Sequence, residues 1–259
     1  MKFCVLGSGS RGNATLVESG GTALLIDAGF SGVEIRRRLG LAGRQPEKLA
    51  AILVTHEHND HISGVGVLSR QARVPVHANP ATLAAAAGKL GTLFAIREFS
   101  TGEGFELGGL QIHPFAISHD TADPVGFIIS DGDFRLGYCT DTGRITRLIE
   151  HHLRQCHALI LESNHDPRML REGPYPLRLQ QRVLSGQGHL ANEDAGSLLN
   201  RLAGGVLQYV VLAHLSEINN LPELALRAAR NGLGEKGVHI EIVPACQGAP
   251  CRLIDLRRK

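Results

Sequence analysis

Short apolar runs separated by glycine-rich turns dominate the start of the chain. Residues 3–6, 15–19 and 22–26 read as three strands, the last ending in Asp27-Ala28-Gly29. Between the first two lies the tight loop Gly7-Ser8-Gly9-Ser10-Arg11-Gly12-Asn13. Strands joined by turns this short predict an antiparallel meander. Apolar Val33, Ile35 and Leu39 predict a helix over 32–39 with Arg36, Arg37 and Arg38 on a solvated outer face. The apolar run 49–55 predicts a buried strand, and 62–71 a helix.

The second half echoes the first. Residues 105–107, 110–117, 125–130, 135–140, 158–162, 209–213 and 239–243 read as strands, and 145–156, 191–202 and 221–231 as helices. Strand groups alternating with helices in two similar halves predict two packed sheets with helices outside. Nothing in the pattern marks a domain boundary, so one domain is expected over 1–259. Residues 167–188 break the regularity with Gly173-Pro174-Tyr175-Pro176 and an amphipathic stretch, and are expected to form a flap over a site.

With 259 residues, 43% of them hydrophobic, the chain can bury a sizeable core without disulfides. The five cysteines are irregularly spaced, with no Cys-X-X-Cys pair, which argues against a disulfide framework or a cysteine zinc site. Buried free thiols are expected. No apolar run approaches the ~20 residues of a membrane helix, and the N-terminus turns polar too early for a signal peptide, so the expected location is cytoplasmic. Aromatic residues make up 4%, with no Trp, which weakens a base-stacking mode of nucleic-acid binding. A net charge of +2 neither demands nor excludes a nucleic-acid substrate. Beside Arg36–Arg38, the visible basic cluster is Arg257-Arg258-Lys259.

The chemistry concentrates in His56-Glu57-His58-Asn59-Asp60-His61. Three imidazoles and two carboxylates within six residues form a mixed nitrogen and oxygen set that suits Zn²⁺, Mn²⁺ or Fe. The cluster follows an apolar strand, which fixes it at a sheet edge. Four later or earlier positions also close apolar strands: Asp27, His119, Asp141 and His214.

His-X-His-X-Asp-His is the signature of the metallo-β-lactamase superfamily, and the chain resembles that family throughout. The resemblance implies an α/β fold, the four-layer αββα sandwich. It implies two divalent metal ions: one held by His56, His58 and His119, the other by Asp60, His61 and His214, with Asp141 bridging and Asp27 orienting a ligand from behind. Asp141 favours phosphoesterases over true β-lactamases. Asp60 is a candidate proton acceptor, and His189 is the candidate proton donor to the leaving group, oriented by Glu162. That pairing looks like the one in tRNase Z. Arg11, Asn13, His165 and Asn192 are candidate substrate contacts. Gly7–Asn13 is also read as a loop that could approach a phosphate, although a plain turn serves equally well.

Five stretches resemble the YycJ/WalJ-type branch: Gly7–Asn13, Thr55–His61, Glu162–Asp166, Gly188–Glu193 and His214–Asn220. That branch implies a DNA 5′-exonuclease using a metal-bridged hydroxide as nucleophile. Two alternatives stay open: hydrolysis of another ester, such as a small phosphodiester or thioester, and a non-hydrolytic diiron redox or metal-binding regulatory role.

Overall fold

The structure, a computed structural model, describes residues 1–257. Arg258 and Lys259 of the C-terminal basic cluster lie outside the described residues. The first half runs β1 (Lys2–Gly7), β2 (Ala14–Ser19), β3 (Thr22–Ile26), α1 (Gly32–Leu41), β4 (Ala51–Leu53), α2 (Asn59–Ile62), α3 (Val65–Ala72), β5 (Val76–Ala78), α4 (Pro80–Leu90) and β6 (Ile96–Glu98). The second half runs β7 (Phe105–Leu107), β8 (Leu110–Ala116), β9 (Val125–Ser130), β10 (Arg135–Cys139), α5 (Arg147–Leu153), β11 (Ala158–Glu162), α6 (Pro167–Glu172), α7 (Leu177–Val183), α8 (Asn192–Leu202), β12 (Tyr209–Ala213), α9 (Pro222–Leu233), β13 (Glu241–Pro244) and β14 (Ile254–Asp255).

Two seven-stranded mixed sheets result, ordered β14-β1-β2-β3-β4-β5-β6 and β13-β12-β11-β10-β9-β8-β7. The opening meander is antiparallel, whereas β3 and β4, and β10, β11 and β12, run parallel. Alternate side chains of each strand enter different layers, as the two-residue period of a strand requires. Phe3 and Val5 lie between the sheets, while Cys4 and Leu6 face the helices of the first half. Val211 and Ala213 likewise lie between the sheets, and Val210 and Leu212 face α8 and α9. Both faces being covered, these strands read as unbroken apolar runs. The outcome is the four-layer αββα sandwich. No helix among the described residues is long and apolar enough to cross a membrane.

Three expectations need correction, and one region went unread. The helix foreseen over 62–71 is interrupted between α2 and α3, where the Gly64 amide donates to the Ala28 carbonyl at 2.7 Å instead of to a carbonyl one turn back. Elements β5, α4 and β6 carry no clear periodicity: the strands have three residues each, and α4 is alanine-rich. Arg38 is not on a solvated face but 4% exposed. Its guanidinium donates to the carbonyls of Leu6 (2.7 Å) and Gln247 (3.0 Å), meets Glu34, and lies over the Phe30 ring. Of the five free cysteines, Cys4, Cys139 and Cys156 are buried, but Cys246 is exposed and Cys251 half-buried.

Candidate metal centre

Parallel strands end at one edge of each sheet, and the chemistry-bearing side chains follow those ends. Asp27 follows β3, Asp141 follows β10 and His214 follows β12. All three have left-handed backbones, with φ of 59°, 58° and 54°. Such a conformation costs a non-glycine residue about 1–3 kcal/mol and tends to persist where function fixes it. It turns each side chain back across the strand end toward the same space.

Three histidines meet there first. His56, His58 and His119 bring their ligand nitrogens within 4.8 Å of one another. Two of them are aimed by a partner on the other face of the ring. Thr55 Oγ1 is 2.9 Å from His56 Nδ1, which leaves Nε2 buried without a hydrogen-bond partner. His119 directs Nδ1 to the carbonyls of Gln187 and Gly188, both at 3.1 Å, so its Nε2 turns inward to 3.2 Å from His58 Nδ1.

Asp60, His61, Asp141 and His214 form a second set of the same tightness. His61 Nδ1 is 2.7 Å from Asp27 Oδ2, and Asp27 also accepts from the Thr55 amide (2.8 Å) and hydroxyl (2.9 Å). His61 Nε2 thereby faces Asp141 Oδ2 at 3.3 Å and Asp60 Oδ2 at 3.6 Å. His214 Nε2 faces Asp141 Oδ1 at 3.3 Å and Asp60 Oδ2 at 3.4 Å. Asp141 is buried, and its Oδ2 has no hydrogen-bond donor.

The electrostatics match a cation site. Burial pulls the His61 pKa down, but Asp141, Asp27 and Asp60 outweigh it and hold the ring well above the usual imidazole range. Burial likewise opposes the charge on His214, yet Asp141 and Asp60 raise it to about 9. Burial raises the Asp141 pKa, and the His214 and His61 charges overcome that to hold it well below the usual range. Burial, then the His61 charge, lowers His56 far below its ordinary value. Protons thus sit where divalent cations would go. A buried polar atom without a partner calls for an explanation, and His56 Nε2 would find one in a bound ion. The donor atoms, imidazole nitrogen and carboxylate oxygen, suit Zn²⁺ or Mn²⁺.

Beside the second set stands a carboxylate–imidazole pair. Glu162 is fully buried; its Oε1 lies 2.7 Å from His189 Nδ1, and its Oε2 accepts from the amides of Thr142 (2.7 Å) and Leu190 (3.2 Å). The His189 ring stacks on His214 at 5.0 Å. These two residues, with Asp141 and His214, form a third tight cluster.

The four candidate substrate contacts are placed differently. Arg11 is exposed but paired with Glu217 at 2.6 Å. Asn13 is buried, with its amide nitrogen 3.1 Å from His61 Nε2 and 3.2 Å from the Asp60 carbonyl, so it braces the second set from inside. Asn192 is buried between Ser163 and Asn220. His165 is buried with neither ring nitrogen partnered. The Gly7–Asn13 loop spends its amides within the fold: Gly9 on Asn13, Arg11 on Gln247, Gly12 on Gly9 and Asn13 on Asp60.

Sequence reasoning missed Thr55, Asn164 and the Asp120–Arg182 pair. Asn164 Nδ2 lies 3.1 Å from His214 Nδ1. Asp120 Oδ1 lies 3.9 Å from His58 Nε2 and 3.7 Å from His119 Nε2, and its carboxylate takes Arg182 at 2.6 Å. Thr55 and Asp120 adjoin candidate ligand histidines in sequence, which was the available signal; Arg182 had none.

A two-sheet sandwich with two His/Asp sets at its strand ends defines a class, and the chain belongs to the metallo-β-lactamase superfamily. A family model described as "Beta-lactamase superfamily domain" matches residues 22–215. Within that superfamily the chain is similar to the exodeoxyribonuclease YycJ of Bacillus anthracis, 37% identical over 239 residues, covering 92% of this chain and 90% of that one. It is equally similar to the exodeoxyribonuclease WalJ of Streptococcus pneumoniae strain R6, 37% identical over 245 residues, covering 93% and 91%. Among solved structures, the metallo-β-lactamase fold protein YhfI of Bacillus subtilis superposes with a TM-score of 0.76 at 19% identity, covering 97% and 99% of the two chains. Zn²⁺-bound PqqB of Methylobacterium extorquens gives 0.69 at 18%, covering 99% and 100%.

Proposed function

We infer that this chain is a metal-dependent exodeoxyribonuclease that removes nucleotides from the 5′ end of DNA. The observation that carries the reading is two His/Asp sets side by side, with the His56 and His61 rings 4.0 Å apart, in a chain aligned over nine-tenths of its length with proteins named exodeoxyribonucleases.

His56, His58 and His119 would hold one divalent ion, and Asp60, His61 and His214 a second, with Asp141 between them. Bound there, such ions supply Lewis-acid activation of a water near neutral pH and offset charge on the phosphate. The chain's own residues do the rest. Thr55, Asp27 and the Gln187 and Gly188 carbonyls fix which imidazole nitrogen faces inward. Glu162 holds His189 by Nδ1, leaving Nε2 as the nitrogen that carries a proton to the leaving oxygen. His189 is 18% exposed, enough to reach a substrate at the rim. Residues 167–188 serve as the flap of this site and supply the two carbonyls that accept from His119 Nδ1.

The test is cleavage of duplex and single-stranded DNA labelled at either end, with RNA alongside, after loading with Zn²⁺ or Mn²⁺. Mononucleotides leaving the 5′-labelled end first are expected. Internal fragments alone, or hydrolysis confined to a small ester such as bis(p-nitrophenyl) phosphate, would replace the reading with a different esterase.

A further inference from the structure

Residues 167–188 hold four arginines, Arg168, Arg171, Arg178 and Arg182, against one acidic residue, Glu172. The whole chain carries only +2, so positive charge is concentrated here. Helix α7 stands at the rim of the metal centre. Arg182 donates from Nε and Nη2 to Asp120 at 2.6 and 3.2 Å, and Asp120 lies beside His58 and His119. The chain after α7 is held there firmly. Ser118 Oγ donates to the Gly186 carbonyl at 2.6 Å, and a Cβ on Gly143 would come within 2.4 Å of the Ser185 carbonyl oxygen.

Arg178 precedes Arg182 by one helical turn, so the two share a face about 5–6 Å apart at Cβ. Arg144 flanks the turn after α7: a Cβ on Gly186 would meet Arg144 Cδ at 3.5 Å. Arg144 and Arg178 are exposed, and neither has a carboxylate partner among the described residues. By contrast Arg36, Arg37, Arg44, Arg154 and Arg201 each meet one. A guanidinium fork matches the oxygens of a phosphate and supplies charge-assisted hydrogen bonds to it. Two unpaired forks beside a site of phosphodiester chemistry have a natural occupant.

We propose that Arg178 and Arg144 grip backbone phosphates of the DNA strand entering the metal centre, and that Arg182 ties this grip to the ligand set through Asp120. The proposal rests on reading the chain as a DNA-degrading enzyme. It places substrate binding on the flap rather than on the glycine loop, most of whose amides are already used.

The experiment is fluorescence anisotropy of a labelled 20-base-pair duplex with the full chain in EDTA, across a salt series, for wild type, Arg178→Glu, Arg144→Glu and the double variant. Removing one arginine from a phosphate should lower the slope of log affinity against log salt by about 0.9. We expect Kd to rise roughly tenfold for each single variant, on the order a charge-assisted hydrogen bond contributes. The milder Arg178→Gln and Arg144→Gln should weaken binding less, and Arg227→Glu on α9 should bind like wild type. In the metal-loaded protein the drop in activity on DNA should exceed any drop on bis(p-nitrophenyl) phosphate by tenfold or more. Undiminished DNA binding by the double variant overturns this surface alone. So does a drop on the small ester that equals the drop on DNA. A wild type that hydrolyses the ester but neither binds nor cuts DNA overturns the functional reading, and the surface with it.

Discussion

Replacing Asp27 by Asn should weaken the metal position at His61 more than the one at His56. The substitution is nearly isosteric, and Asn tolerates the left-handed backbone that residue 27 adopts at φ 59°. What changes is the hydrogen-bond chemistry. The carboxylate accepts from the Thr55 amide, the Thr55 hydroxyl and His61 Nδ1 at 2.7–2.9 Å. An amide placed with its oxygen toward the Thr55 N–H turns its NH₂ toward His61 Nδ1. That donor drives the imidazole proton onto Nε2, the nitrogen facing Asp141 at 3.3 Å, where a metal needs a lone pair. Flipping the amide restores His61 but sets two donors face to face at Thr55, a buried loss of about 1–3 kcal/mol. Either arrangement should weaken metal binding about 10- to 100-fold, the usual effect of removing such an outer carboxylate. That range corresponds to about 1.4–2.7 kcal/mol. Titration calorimetry of metal-free Asp27→Asn with Zn²⁺ should show one of two binding events weakened by that factor. The other event, at His56, His58 and His119, should weaken less, since Asp27 reaches His56 only through the Thr55 hydroxyl. An isotherm superposable on wild type in both events would refute the tautomer argument.

Three further outcomes are expected. His189→Ala should retain metal by elemental analysis yet lose roughly 10²–10⁴-fold in kcat, whereas Asp141→Ala should lose metal and activity together; metal loss in His189→Ala would make His189 a ligand instead. Loading the metal-free protein near pH 7.5 should release protons from His61 and His214, read from calorimetry in buffers of differing ionisation enthalpy, and no release would contradict the raised pKa values. The sign for stability follows: His214 stands at about 9 in the fold against ~6.5 unfolded, so its contribution to the metal-free protein is complete below ~6.5 and is lost as pH rises through about 9. Arg38→Met should destabilise the fold by about 3 kcal/mol, since it strands the buried Leu6 and Gln247 carbonyls, while thermal unfolding of Arg37→Met should show an unchanged midpoint.

Much of the fold was legible because its strands are buried on both faces. Apolar runs at 3–6, 125–130, 158–162 and 209–213 are interrupted only by turns, and a run of four to six apolar residues has few other uses. The short β5 and β6 and the alanine-rich α4 offered no such period, and went unread. Residue types at strand ends likewise carried the ligand candidates, since His and Asp directly after an apolar run must emerge at a sheet edge.

The amino-acid order alone determined which residues could bind metal and that they follow strand ends. Only the tertiary structure decided their orientation and company. It set which nitrogen of His61 turns inward, because Asp27 holds the other. It made Asn13 a brace rather than a surface contact, and drew Arg38 inside through a carbonyl 209 residues away in the chain. It also brought Arg182 to Asp120 across 62 positions. Sequence spacing fixes local direction through backbone geometry, whereas burial and hydrogen-bond partnership depend on segments that meet only once both sheets have closed on each other.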